Sequence, residues 1–394
     1  SIGGFTFVVF KTYKMNDMKG KQGLVCMGLL LVLSSCHTGK QITASGLQRK
    51  DFQTEVNGQH TDLFTLSNKQ GMEVCITNYG ARVVSILVPD RNGKREDVVC
   101  GFSTITEYME QRQNFGSTVG RYIGRILNAR FTLDGVEYKL VPNNGKSGHI
   151  SHGGNPGFAD RIWKVEQADT HRVRLSYLSP DGENGFPGNL KVTLVYSLGE
   201  DDNALDLTYE ATTDAPTVLN LSHHSFFNIS GNFTKSVEDQ QLWVDADRFT
   251  PYDDKKCVTG EYLPVAGTPL DFRMPHAIGE CIDADHPQLK VVNGYDHTWE
   301  LNTKGDDTRP AAWVYDPASG RKMEIFTTEP GMQIYTGNGL KGKMTGKGGI
   351  AYPFRSAVCF ETMHFQDSPN QPGFPSTVLR PGEVFRSHTV YKFE

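Results

Sequence analysis

Arg130-Phe131-Thr132-Leu133-Asp134-Gly135-Val136-Glu137-Tyr138-Lys139-Leu140 reads as two short extended runs joined by Asp-Gly. Asp-Gly suits the two-residue turn whose twist matches paired antiparallel strands, so the stretch is a hairpin. The same extended character continues on both sides of it. Residues 72–77 alternate, and residues 82–88 are β-branched until Pro89 stops them. Further strands read at 173–178, 191–198, 204–212, 241–246, 311–315, 322–327 and 384–393. Helical periodicity is scarce, with 104–111 the best short candidate. Many short strands punctuated by Gly, Pro and Asn predict an all-β chain, a large antiparallel β-sandwich. Nothing marks a linker between 51 and 394, so the expectation is one large domain. No repeat of 20–50 residues argues for a propeller or solenoid.

The chain has 394 residues, 41 of them glycine, and a net charge of -5. Mixed charge without a Lys/Arg-rich block argues against a nucleic-acid partner. The first 50 residues differ from the rest. Residues 1–14 precede Met15 and promise no fold. Lys19 and Lys21 then lead into an apolar run at 24–33, followed by Ser34-Ser35-Cys36. That run is short for a membrane span and carries the flanks of a secretory signal. Its ending resembles a bacterial lipobox, in which Cys36 is lipidated and becomes the mature N-terminus. The expectation is an exported, membrane-anchored lipoprotein, periplasmic or on the outer-membrane side, with residues 37–50 as a polar tether. Cys75, Cys100, Cys257, Cys281 and Cys359 remain, odd in number and without C-x-x-C, so neither a zinc site nor a dense disulfide framework is supported.

Asn220-Leu221-Ser222-His223-His224-Ser225-Phe226-Phe227-Asn228 follows an extended apolar run at 216–219. Alternation along a strand puts His224 on one face with Asn220, Ser222, Phe226 and Asn228, and sends His223 to the other. A face of Asn, Ser, His and Phe suits a sugar, which needs hydrogen bonds and a stacking surface. A single buried histidine is more often a structural group bonded to the backbone. Four further stretches shift that balance. They are Gly120-Arg121-Tyr122-Ile123-Gly124-Arg125-Ile126, the loop Ile150-Ser151-His152-Gly153-Gly154-Asn155-Pro156-Gly157-Phe158, Gly294-Tyr295-Asp296-His297-Thr298-Trp299, and Glu329-Pro330-Gly331-Met332-Gln333 through Asn338 with Cys359-Phe360-Glu361-Thr362 and the turn Asp367-Ser368-Pro369-Asn370.

Taken in this order, with Asn78-Tyr79-Gly80-Ala81, these stretches resemble the aldose 1-epimerase (galactose mutarotase) family over nearly all of the chain from about residue 52. The resemblance implies a β-supersandwich. It also implies interconversion of the α- and β-anomers of free aldoses such as glucose and galactose. In that chemistry a base takes the anomeric hydroxyl proton while an acid protonates the ring oxygen. Each can contribute roughly 10²–10⁴-fold. By the resemblance, Glu361 is the base and His224 the acid. Arg125, His152, Asp296 and Gln333 grip sugar hydroxyls, Arg125 helps hold Glu361 ionised, and Phe158 or Tyr335 lines the pocket. No cofactor is required, although a bound divalent ion such as Ca2+ is compatible. A monomer is expected, with a dimer as the alternative. Two positions depart from the family pattern: Gly124 and His223 stand where many members carry Asn.

Three other readings compete. A sugar-binding module need not keep both His224 and Glu361. A glycoside hydrolase would recruit Asp296 and Glu361 as its two carboxylates, leaving His152 and His224 without a role. A sugar-phosphate epimerase calls for more basic groups around its pocket.

Overall fold

The computed structural model describes residues 41–394. The expected signal segment and its lipid-acceptor Cys36 lie outside the described residues. Residues 41–50 of the expected tether are docked on the sheet domain: Leu47 is buried, and the backbone N–H groups of Ala44 and Ser45 donate to the Glu73 carboxylate. No described helix is long and apolar enough to cross a membrane.

A nine-stranded antiparallel sheet runs in the order Lys164–Ala168, Arg172–Ser179, Leu190–Leu198, Ala204–Thr213, Phe385–Phe393, Lys322–Thr327, Ala312–Tyr315, Gln241–Val244, His276–Ala277. Its strands alternate cleanly. In Leu190–Leu198 the side chains of Leu190, Val192, Leu194, Tyr196 and Leu198 are buried while Lys191 is exposed. Such side chains contribute roughly 1.5–3 kcal/mol each when fully buried. They join one core cluster with Trp299, Met332, Ile334 and Phe360 of a second sheet.

That second, six-stranded sheet has the order Phe226–Phe227, Val358–Met363, Gly331–Tyr335, Asp296–Glu300, Arg248–Thr250, Leu263–Pro264. Because successive side chains point to opposite faces, Met332 and Ile334 enter the core while Gln333 and Tyr335 face away from it. Phe360 likewise enters the core while Cys359, Glu361 and Met363 face away. The site is built on that second face.

The predicted hairpin forms, with Leu133 opposite Val136 and positive φ at both Asp134 (51°) and Gly135 (81°). The helix Ile105–Gln111 forms behind a capping box in which Thr104 and Glu107 satisfy each other's backbone N–H. Pro89 does not stop its strand; it is the last residue of Arg82–Pro89 and pairs with Arg95. A six-residue helix, Pro287–Val292, is too short to show periodicity in the sequence. The five described cysteines are all free.

The two arginines of the Gly-Arg-Tyr stretch separate in role. Arg121 is buried, and its guanidinium donates to the carbonyls of Ser179, Pro180, Pro187 and Gly188 and to the Ser179 and Thr217 hydroxyls. It ties the turn near 180 and the segment near 188 to the strand Thr217–Val218. Replacing it by an apolar side chain strands these acceptors. The Arg121→Met variant is expected to lose about 2–4 kcal/mol of stability, read as a lower urea midpoint; an unchanged midpoint contradicts this role.

Candidate active site

His224 ends the strand Ser222–His224, which pairs antiparallel with Ser117–Val119. The adjacent histidines part as alternation requires. His223 Nε2 lies 2.6 Å from Ser225 Oγ, and its ring sits among Tyr196 and Tyr391 in the core. The His224 ring stacks on Phe226 at 5.1 Å and meets the His152 ring edge-on at 5.5 Å.

Glu361 lies inside the strand Val358–Met363, not at its end. Register places Gln333 directly opposite Glu361, and Thr298 opposite Gln333. Asp296 is one step away on the same face. A second short pair, Arg125–Ile126 with Ile150–Ser151, brings Arg125 opposite Ser151 and delivers His152 from the following loop. The loop must pass close to the Gly120 carbonyl. A Cβ at Gly153 would lie 2.0 Å from that oxygen, so the residue after His152 has to be glycine.

These elements line an open cavity of about 260 Å³, large enough for one sugar ring. All six residues singled out in the sequence line it: Arg125, His152, His224, Asp296, Gln333 and Glu361. Tyr335 lines it too, whereas Phe158 does not; Phe158 is packed against Trp163 and Tyr177. The wall also contains Gln113, Asn114, Ser151, Phe226, Met363 and Gln366. Met363 could have been found by counting two residues on from Glu361. Gln113 and Asn114 follow a helix end and carry no sequence signal.

In the cavity wall, His224 Nε2 and Glu361 Oε1 lie 3.4 Å apart and are only 7% and 5% exposed. Burial raises the Glu361 carboxyl well above the carboxylate range, and Asp296 adds to the rise. Burial lowers the His224 imidazole well below 6.5, and His152 adds to the fall. Both shifts favour the neutral pair, a protonated Glu361 beside a neutral His224. Burial also raises Asp296, opposed by Arg125 and by the Gln333 amide, which donates to Asp296 Oδ1 at 2.7 Å. His152 is held down to about 4, by burial and then by Arg125. The charge of Arg125 thus acts on Asp296 and His152. The rise at Glu361 comes from burial and then Asp296, with no offset from Arg125.

His224, Cys359 and Glu361 present ligand atoms within 4.8 Å of one another, the one such group among the described residues. A nitrogen, sulfur and oxygen set suits a borderline metal such as zinc and not the all-oxygen shell of calcium.

With this geometry in view, comparison with known proteins is specific. A profile of the family described as aldose 1-epimerase matches residues 62–392. The chain belongs to the aldose 1-epimerase family. It is 40% identical to the galactose mutarotase of Bos taurus over 84% of this chain and 93% of the bovine protein. It is 36% identical to the aldose 1-epimerase of Escherichia coli K12 over 86% of this chain and 96% of that one. Among solved structures, an aldose epimerase homologue from C. elegans superposes with a TM-score of 0.78 at 31% identity, covering 85% of this chain and 99% of that chain.

The buried histidines give the site a pH signature. In the unfolded chain His223 titrates near 6.5, while burial holds it down to about 3 in the fold. Below 6.5 the unfolded chain therefore binds a proton that the native chain refuses. The stability tied to this group is present above 6.5 and lost as pH falls toward 3. A His223→Gln variant escapes that loss. Its stability gap to the native protein, from urea unfolding at about pH 7.5 and about pH 5, is expected to narrow at the lower pH, by at most about 1.4 kcal/mol per unit. A gap that widens contradicts the buried neutral state.

Proposed function

We propose that this protein is an aldose 1-epimerase that interconverts the α- and β-anomers of free aldoses such as glucose and galactose. The observation that carries the reading is the His224–Glu361 pair, 3.4 Å apart in a polar cavity large enough for one sugar ring. The Glu361 carboxylate takes the proton from the anomeric hydroxyl. The freed electron pair forms the C1 carbonyl as the C1–O5 bond breaks, and the His224 imidazolium protonates O5. Rotation about C1–C2 presents the other carbonyl face. Ring closure then returns both protons.

Opening converts an ion pair into a neutral pair, and closing reverses it. Burial opposes the ionic form, and attraction at 3.4 Å offsets part of that cost. Asp296, Gln333, Arg125 and neutral His152 supply acceptors and donors for the sugar hydroxyls. Arg125 is the one lysine or arginine in the cavity wall, which argues against a phosphorylated substrate.

Polarimetry of freshly dissolved α-D-glucose and α-D-galactose tests the reading. The native protein is expected to speed relaxation to the same final rotation. The Glu361→Gln variant is expected to lose about 10²–10⁴-fold in kcat with its thermal melt retained. A folded native protein that accelerates neither sugar contradicts the assignment.

We further propose that the chain is exported and lipidated at Cys36. The basic, apolar and lipobox-like segments at 19–36 support this. Acting there, the enzyme would meet sugars before uptake. On expression from Met15 in a bacterial host, Cys36→Ala is expected to move the protein from the membrane fraction to the soluble one. Equal distribution of the two forms contradicts lipid anchoring.

A further inference from the structure

Gly124 and Gln366 share one volume. Gly124 has φ +75°, and a Cβ there would lie 2.6 Å from Gln366 Cγ. The departure noted at position 124 is therefore matched in space by the Gln366 side chain, which reaches over the glycine into the cavity wall. Gln366 is 4% exposed, and its hydrogen bonds fix its amide. Nε2 donates to the Tyr252 hydroxyl at 2.7 Å and lies 3.3 Å from Gln333 Oε1. Oε1 accepts from the Arg125 backbone N–H at 3.3 Å.

Both amide protons are thus committed, while the carbonyl oxygen keeps a second lone pair. A sugar hydroxyl entering the cavity can donate to it. The same contacts act on Gln333. Its Oε1 edge is held by Thr298 and Gln366, so its Nε2 edge is turned to Asp296. Gln366 accordingly touches the cavity directly and also sets which face of Gln333 the substrate meets.

We propose that Gln366, seated in the space left by Gly124, is the residue through which the pocket distinguishes aldoses differing in the configuration of one hydroxyl. The inference rests on the mutarotase reading above and names the determinant of its specificity. A site built to hydrogen-bond a hydroxyl discriminates strongly against a sugar that leaves its polar group unmatched. The acid/base pair contains neither Gln366 nor Gly124, so discrimination is carried by KM more than by kcat.

The test uses the native chain, Gln366→Ala, Gly124→Asn and the double variant, assayed by polarimetry on α-D-glucose, its 4-epimer α-D-galactose and its 2-epimer α-D-mannose. Gln366→Ala is expected to change at least one kcat/KM ratio between epimers by about tenfold, mainly through KM. Asparagine tolerates positive φ better than most residues, so the larger obstacle to Gly124→Asn is the Gln366 side chain. The single Gly124→Asn variant is expected to lose most activity, and adding Gln366→Ala is expected to restore it. If Gln366→Ala melts early, Gln366→Met, which keeps the volume and removes the polar atoms, carries the same ratio comparison. Unchanged ratios in a folded variant, or losses at 124 and 366 that simply multiply, overturn this inference while leaving the mutarotase reading intact. A native protein that accelerates none of the three sugars overturns both.

Discussion

A carboxyl group and an imidazole held 3.4 Å apart, each almost wholly out of water, constrain the rest of this structure. Placing two ionisable groups in such surroundings is costly unless each has a partner. Glu361 and His224 come from different strands, so that partnership depends on two sheets being in register. The apolar face of the six-stranded sheet packs on the nine-stranded sheet, leaving its opposite face to carry Glu361, Gln333 and Asp296, while the pair Ser222–His224 and Ser117–Val119 carries His224. Arg121, bonded to carbonyls on two separate segments and to the Thr217 hydroxyl on a third, fixes the chain next to where Arg125 must emerge.

Around the pair, the polar wall is a connected network more than a set of independent contacts. Thr298, Gln333, Asp296, Gln366 and Tyr252 are joined by hydrogen bonds that leave each amide one orientation. Such an arrangement presents fixed donors and acceptors to a sugar without reorganisation on binding, which is how support behind a site sharpens its geometry. His152 is kept neutral beside Arg125, so it adds hydrogen bonding to the wall without adding a second cation.

The fold was legible where one strand face meets water. Leu190–Leu198 alternates buried with exposed or half-exposed residues, and such strands stand out in the sequence. The strands that bear the site do not. Val358–Met363 is covered on both faces, and Asp296–Glu300 is half-exposed only at its two end residues, so hydropathy alone cannot find their polar pocket positions. They were reached through motif order instead. That route brought six residues to one cavity, Arg125 and not Arg121 among them, but it gave Arg121 no structural role and did not place Phe158, whose ring belongs to the core. Gln366 was missed because its role exists only through the space that Gly124 leaves. The stretch at 41–50 was read as a tether from its polar composition, although Leu47 and the Glu73 carboxylate hold it down.

The central claim is that Glu361 and His224 act as one proton-transfer unit. The direct measurement compares initial polarimetric rates for Glu361→Gln, His224→Gln and the double variant under identical conditions. Residues that work as a unit show strongly non-additive losses. The account predicts a double variant about as slow as the slower single one. Losses that multiply, each variant removing its own share independently of the other, would contradict it.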